Sequence, residues 1–485
     1  MEDKNKNQRL NTSQGEIIEQ SDKNQNIEYK ESPERWYNLV SFCFCLLADG
    51  FQWLIFSPIS REFSYYYEKS LWKVNIIPVI YFIIYPLVCI PEGWLIEQYN
   101  IKLCLKIASG TILIGSLLKI FTNLDKSLSV CYIGHIFAGL FRPLLLNSPG
   151  KIATNWFNED KRVIICSIGY LCDVVGILAG YVFNLVYFKE NQNKDVFRDK
   201  MYQYTLSEFL ICFLLCIPGF FIEKDLPDKP CSPSQYKYNL KKLTLVENLK
   251  LLFTNCQFII LLIPIFFIVG YFYIMGTEFN ELMYIYGITK NKCSIIYSVS
   301  IIVGVISSLI FACFLNKYWK YKLFMIILCI LAIVFQVFLT FMLEVAKSKD
   351  YNAFVISLIF NILINAAVTP LYVILMNYAF EITYTIPESI TGGITMSMAH
   401  LCGIFGTYLF DYFINHHNNK PWISNVVILI FFTVSFVFIL FLKEQLFRYQ
   451  TDKEGRINEK EDEKEEQKEE NNTNEAMQVN VEIKQ

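Results

Sequence analysis

The chain has 485 residues, of which 54% are hydrophobic, 16% aromatic and only 18% charged, a composition too apolar for a soluble globular protein or enzyme of this length. Its 43 basic and 45 acidic residues leave a formal charge of −2, so no global positive field exists to hold nucleic acid. The cysteines lie mostly inside apolar runs, as Cys43, Cys45, Cys212, Cys216 and Cys313 do, and read as reduced core residues rather than a disulfide framework.

A helix that crosses about 30 Å of hydrocarbon needs roughly twenty apolar residues. In chain order, stretches of that kind fall near 36–59, 73–96, 103–122, 129–149, 163–187, 204–222, 258–286, 291–316, 321–344, 353–378, 388–414 and 421–442. The longest polar break runs from Glu223 to Gln257, carries Pro227, Pro230 and Pro233, and divides these spans six and six. The sequence therefore predicts an all-α membrane protein of twelve transmembrane helices. Residues 1–35 read as a disordered N-terminal tail, 36–222 as a first six-helix bundle, 223–257 as a central loop, 258–442 as a second bundle and 443–485 as a disordered charged tail. The mixed-charge run Glu459 to Glu470 has no apolar residue and cannot bury enough surface to fold alone. No secretory signal peptide is expected in the polar N-terminal stretch.

An even number of spans puts both tails and the central loop on one side. The short loops are nearly balanced in Lys and Arg, but Lys23, Lys30, Arg35, Lys443, Arg448 and Lys453 flank the spans on the tail side. Positive residues favour the cytoplasmic face, so that side is expected to be cytoplasmic, with the plasma membrane as the host and an organelle membrane as the alternative.

The stretches Gly93 to Lys102 and Ala312 to Lys322 share a pattern of small, any, apolar, apolar, polar, then basic residues. This resembles the signature loop of the major facilitator superfamily, in which an acidic residue and a basic one about five positions later clasp neighbouring helix ends. The resemblance makes Glu97 and Lys102 a gating pair, while the second copy has Asn316 where a carboxylate would stand. It also implies two pseudo-symmetric bundles that rock about a central path.

A carboxylate at the bilayer centre costs about 2.5–3.5 kcal/mol on insertion scales, so one that persists there should face protein or a wet cavity. Counting about 1.5 Å per residue from the span starts puts Asp49, Asp173, Tyr273 and His400 near the midplane. Spans three, six, nine and twelve carry almost no ionisable residue in their middle thirds and are expected to be outer supports. Asp49 and Trp53 are four apart and share a helix face, with Gln52 beside them; Tyr273 and Asn280 share a face in span seven. An aromatic from each half can frame a cation, each such contact contributing about 0.5–2 kcal/mol, although most aromatics in so aromatic a chain serve packing. Arg142 in span four can offset one of the carboxylates.

Asp49-Gly50-Phe51-Gln52-Trp53, followed by Ser57-Pro58-Ile59-Ser60, resembles the feline leukaemia virus subgroup C receptor family, heme and choline transporter-like members of the major facilitator superfamily. Ser148-Pro149-Gly150-Lys151-Ile152-Ala153-Thr154-Asn155-Trp156-Phe157, Gly270-Tyr271-Phe272-Tyr273 with Asn280, and Phe380-Glu381-Ile382-Thr383-Tyr384 with Pro387-Glu388-Ser389 are similar to further motifs of that family. The resemblance implies a transporter of choline or ethanolamine in which Trp53 and Tyr273 flank the ammonium group, with heme export also attributed to the family. Where the family has Gln in spans five and eleven this chain has Val174 and His400, and two family Asn positions are Asp49 and Asp173. Extra carboxylates favour a bound cation or a proton.

The expected function is transport of a small organic cation by alternating access, at a site of Trp53, Tyr273, Asp49, Gln52, Asp173, Asn280 and His400. Proton linkage through Asp49, Asp173 or His400 is part of this reading. Neither a cofactor nor a metal is expected, and the partners are the small-molecule substrate and the lipid bilayer, with the chain as a monomer. One alternative is export of heme, a porphyrin or another organic solute; an anion would call for several cavity Arg or Lys residues, and only Arg142 qualifies. A second is a non-transporting receptor or nutrient sensor. A membrane enzyme has no metal cluster, nucleophile elbow or phosphate loop in the sequence to support it.

Overall fold

The computed structural model describes residues 29–124, 128–188, 194–240, 243–349, 352–416 and 422–455. The expected disorder of 1–28 and 456–485 lies outside them. Among the described residues, twelve helices are long and apolar enough to cross a membrane: Arg35–Tyr67, Leu71–Tyr99, Ile101–Ile120, Ser129–Trp156, Glu159–Tyr187, Val196–Phe220, Cys256–Tyr284, Lys290–Tyr318, Tyr321–Lys347, Ala353–Ile382, Glu388–Phe413 and Trp422–Phe441. They are numbered here as spans one to twelve. Several begin earlier than hydropathy places them. Span five starts with Glu159 and Asp160 in its first turn, where acidic side chains favour the positive end of the helix dipole. All the cysteines are free, and most are buried.

Spans one to six pack as one bundle and seven to twelve as the other; the bundles meet where span two lies on span eleven and span five on span eight. Spans six, nine and twelve are the least covered, with 33% of their apolar stretch buried against 78% for span one. They are the outer supports. Spans one and five cross so closely that a Cβ on Gly50 would stand 2.1 Å from the Asp173 carbonyl oxygen, and one on Gly176 2.3 Å from that of Leu47. Glycine is required at both places because backbone meets backbone.

Proline breaks two spans at the points that matter most. In span one the α-helix Arg35–Trp53 stops, a short 3-10 turn Ser57–Ile59 follows, and helix resumes at Ser60–Tyr67. Pro58 has no N–H to donate, and the carbonyl of Ile55, left without a helical partner, accepts instead from Asn184 Nδ2 at 2.9 Å and the Tyr204 hydroxyl at 2.6 Å. Span four is broken into Ser129–Leu140, Arg142–Leu146 and Pro149–Trp156. Pro143 interrupts the helical bonding, and the N–H of Leu144 donates both to the Phe141 carbonyl at 3.2 Å and to Glu92 Oε2 at 3.1 Å.

Two segments differ from expectation. The central loop contains the helices Pro233–Leu240 and Leu245–Thr254, the second opened by a Thr244–Glu247 capping box and exposing Val246, Leu251 and Phe253, as suits an amphipathic helix at a membrane interface. Residues 447–455, expected to belong to a disordered tail, are helical and tuck under the tail side. Arg448 and Asp452 are buried there by charge pairs to distant parts of the chain.

Those pairs belong to a tail-side seal. Arg448 binds Glu388 of span eleven and donates to Thr154 of span four at 3.3 Å, while Thr154 also donates to Glu388 at 3.0 Å. Asp452 accepts from Arg162 at 2.9 Å, Glu381 accepts from the Tyr449 N–H at 3.2 Å, and Trp319 stacks on Tyr449. On the far side, Arg61 pairs with Glu281 at 2.9 Å, Lys290 with Glu62 at 3.0 Å, and Ser57 and Tyr181 both donate to the Gly276 carbonyl. The bundles are thus joined at both ends, an occluded arrangement.

Two outcomes are expected. Gly50→Ala and Gly176→Ala should each destabilise the purified protein by about 1–3 kcal/mol, the usual cost of overpacking, and lower its melting temperature; Gly110→Ala, with nothing within 4 Å of the added carbon, should not. Arg448→Ala should loosen the tail-side seal over Cys231, whose buried thiol is pushed up to about 11 and is correspondingly unreactive. With Cys256 and Cys313 replaced by serine, maleimide labelling of Cys231 should accelerate about tenfold through local opening.

Candidate functional site

The polar centre of the first bundle is an ion cluster. Arg142 Nη1 donates to Asp49 Oδ2, and Nη2 donates to Asp173 Oδ2 at 3.1 Å; all three side chains are buried. The break in span four presents Arg142, and the glycine crossing of spans one and five brings the two carboxylates together. The pairing expected to offset one carboxylate in fact engages both. The remaining Oδ1 of each aspartate is buried and accepts no protein hydrogen bond. Two carboxylates against one guanidinium leave unmet acceptors and one carboxylate that a proton or a cation must balance, which suits a cationic, hydrogen-bond-donating ligand.

Aromatic rings continue the cluster across the interface of the bundles. The Arg142 guanidinium lies 4.9 Å from the Trp53 ring centroid and 5.5 Å from that of Tyr81. Trp53 meets Tyr273 of the second bundle edge to face, with centroids 5.3 Å apart, and Phe82 packs on both at 5.4 and 5.2 Å. His400 lies 4.5 Å from Tyr273 and stacks on Tyr85 at 3.9 Å. Three of the rings are fixed by polar contacts: Trp53 Nε1 donates to the Pro78 carbonyl at 3.1 Å, the Tyr85 hydroxyl donates to Asn147 Oδ1, and His400 Nδ1 lies 2.7 Å from the Met396 carbonyl.

Trp53, Tyr273, Asp49, Asp173 and His400 therefore converge. Gln52 turns the other way and donates to the Ile112 carbonyl of span three at 3.2 Å. Asn280 lines a separate cavity of about 250 Å³ on the far side, with Ser60, Arg61, Glu62, Glu281 and Lys290. Glu97 and Lys102 lie on continuous helix, Leu71–Ile120, and do not pair with each other; each meets a neighbouring helix near its end. Glu97 pairs with Lys151 at 2.9 Å and accepts from Ser389 of span eleven at 2.6 Å, whereas Lys102 Nζ donates to the Glu223 carbonyl at 2.7 Å.

Sequence reasoning missed Tyr81, Phe82 and Tyr85, although Tyr81 and Tyr85 stand four apart and Phe82 three before Tyr85, the spacing of one helix face. It also missed the fully buried ion pair of Lys119 in span three and Glu208 in span six. Span six begins at Val196 rather than near 204, which moves Glu208 from its first turn to its middle. Of the spans expected to carry almost no ionisable residue in their middle thirds, span six holds Glu208 there, paired with Lys119 of span three.

The model of the Major Facilitator Superfamily matches residues 38–382. The chain is 26% identical over 436 residues to an uncharacterized MFS-type transporter of Caenorhabditis elegans, covering 88% of this chain and 72% of that one. It is 23% identical over 437 residues to the choline/ethanolamine transporter FLVCR2 of Homo sapiens, covering 88% and 80%. Among solved structures, the proton:xylose symporter XylE bound to 6-bromo-6-deoxy-D-glucose aligns with a TM-score of 0.63 at 14% identity over 86% of this chain and 98% of that one. The E. coli fucose:proton symporter FucP aligns with a TM-score of 0.60 at 12% identity over 84% and 98%; these two likenesses concern the fold alone. Twelve apolar helices in two bundles, and a family match over most of the membrane part, lead to one conclusion: the chain belongs to the Major Facilitator Superfamily, as a multi-pass membrane transporter related to the FLVCR proteins.

Proposed function

We propose that the protein carries a small organic cation, of the choline or ethanolamine type, across a membrane by alternating access. The observation that carries this reading is the junction of Trp53 and Tyr273, one ring from each bundle, beside a carboxylate pair that shares one guanidinium. An ammonium beside both rings gains from the π surface that their edge-to-face junction presents and from the unmet aspartate oxygens. Because the rings belong to different bundles, binding also draws the bundles together, which is the step alternating access needs. His400 closes the site beside Tyr273. The relatives named as choline/ethanolamine transporters support the same substrate class.

The far-side cavity that Asn280 lines would serve as an entry vestibule, with Arg61 and Glu281 as its gate. Glu97 would gate the opposite end through Lys151 and Ser389, and Lys102 would fasten the start of the central segment. Tails in the cytoplasm, a plasma-membrane site and a monomer complete the reading. A porphyrin dicarboxylate fits the site poorly, since the guanidinium it would need already serves two carboxylates.

A thermal-shift screen tests the substrate class, because a ligand at a hundred times its dissociation constant adds about 2.7 kcal/mol of stability. Choline or ethanolamine should raise the melting temperature; glucose and heme should not. Trp53→Ala and Tyr273→Ala should each reduce uptake of radiolabelled choline into proteoliposomes at least about fivefold, for the loss of a desolvated cation–π contact. Unchanged uptake in both variants would refute the site.

A further inference from the structure

Arg142 is surrounded as a bound organic cation would be. Two carboxylates contact it, and the rings of Trp53 and Tyr81 face it. Those are the groups that recognise an ammonium. Its hold is incomplete, however: Nε has no hydrogen-bond partner. It stands on a five-residue helical piece, Arg142–Leu146, between two breaks, so few helical hydrogen bonds anchor its backbone. Around it the bundles are joined at both ends, by Arg448 to Glu388 on one side and Arg61 to Glu281 on the other.

A carrier that returns across the membrane without substrate must pass through such an occluded arrangement. Two aspartates sealed from water with no positive charge would oppose it strongly. We propose that Arg142 is a tethered stand-in for the substrate cation: it occupies the aspartate pair and the Trp53 face on the return leg and gives way when substrate enters. The inference rests on the substrate reading above and deepens it. On the loaded leg the organic cation meets the rings and the free aspartate oxygens, and the guanidinium retreats along its own flexible side chain. Either positive charge permits occlusion, so the protein runs as a carrier capable of net transport rather than as an obligatory exchanger. Arg142 is then a positioning residue for the transport cycle as well as a partner of the aspartates.

The test compares two modes of transport by the full chain in proteoliposomes: uptake of radiolabelled choline into empty vesicles, and uptake into vesicles preloaded with unlabelled choline. Wild type should perform both. In Arg142→Gln, net uptake should fall about tenfold or more while exchange falls less than about threefold, because only the return leg lacks its compensating charge. Arg142→Lys should bring the ratio of the two modes back toward wild type. The double variant Arg142→Gln with Asp173→Asn removes one charge of each sign, leaves Asp49 as the one carboxylate without its guanidinium, and should show the same split. Net uptake retained in Arg142→Gln, or a parallel loss of both modes in Arg142→Gln and the double variant, would overturn the role given to Arg142. Wild type that moves choline in neither mode would instead overturn the substrate reading and this inference with it.

Discussion

Inside a bilayer a carboxylate must meet a partner, because no water is at hand to stabilise it, and in this protein that requirement is met by the pairing of Asp49 and Asp173 with Arg142. The cluster ties spans one, four and five together. Its formation depends on features that look unrelated in the chain: a glycine at residue 50 that lets span one lie against the Asp173 backbone, and a proline at 143 that breaks span four where the guanidinium must emerge. The break at Pro143, like the one at Pro58, is a local departure from regular helix at which side chains supplement the backbone hydrogen bonding, as Glu92 does at Leu144 and Asn184 at Ile55. The departures are tolerated because they sit within protein rather than against lipid.

The same cluster sets the electrostatics and the geometry of the site. Two carboxyl groups and one guanidinium sit beside Trp53, and Trp53 touches Tyr273 across the interface of the bundles. The charged groups are thus confined to the first bundle, while the second contributes Tyr273 and His400. The division means that a ligand in contact with both rings reports directly on whether the bundles are together. The seals at the two ends, Glu388 with Arg448 and Glu281 with Arg61, are charge pairs between elements that must part in turn. The two seals differ in exposure: Arg61 is partly exposed, where ion pairs are weak, whereas Arg448 and Glu388 are buried.

Much of this was legible in the sequence, for a physical reason: helices in lipid need about twenty apolar residues, and depth follows from counting. That is how Asp49, Asp173, Tyr273 and His400 could be placed at one level, while Trp53 was marked by its position four residues after Asp49 and by family resemblance. What could not be read was direction. Gln52 adjoins Trp53 but points about 100° away around the helix, toward span three. Asn280 shares a face with Tyr273 yet lies about 10 Å farther along the axis, in the far-side cavity. Arg142 follows a break that resets the helical phase, so its engagement of both aspartates had no signal in periodicity. The helix at 447–455 was hidden for a different reason. Its charged composition reads as a solvated tail, and only non-local partners, Glu388 and Arg162, bury it.

The central claim is that a small organic cation binds at the contact of Trp53 and Tyr273 beside the aspartate pair. The most direct measurement is a structure of the full chain determined with choline. The account predicts density for the ammonium group within about 6 Å of the Trp53 ring, touching Tyr273, with the Arg142 guanidinium displaced from at least one aspartate oxygen. Choline found only in the far-side cavity lined by Arg61 and Asn280, with the central rings and the Arg142 pairs unchanged, would contradict it.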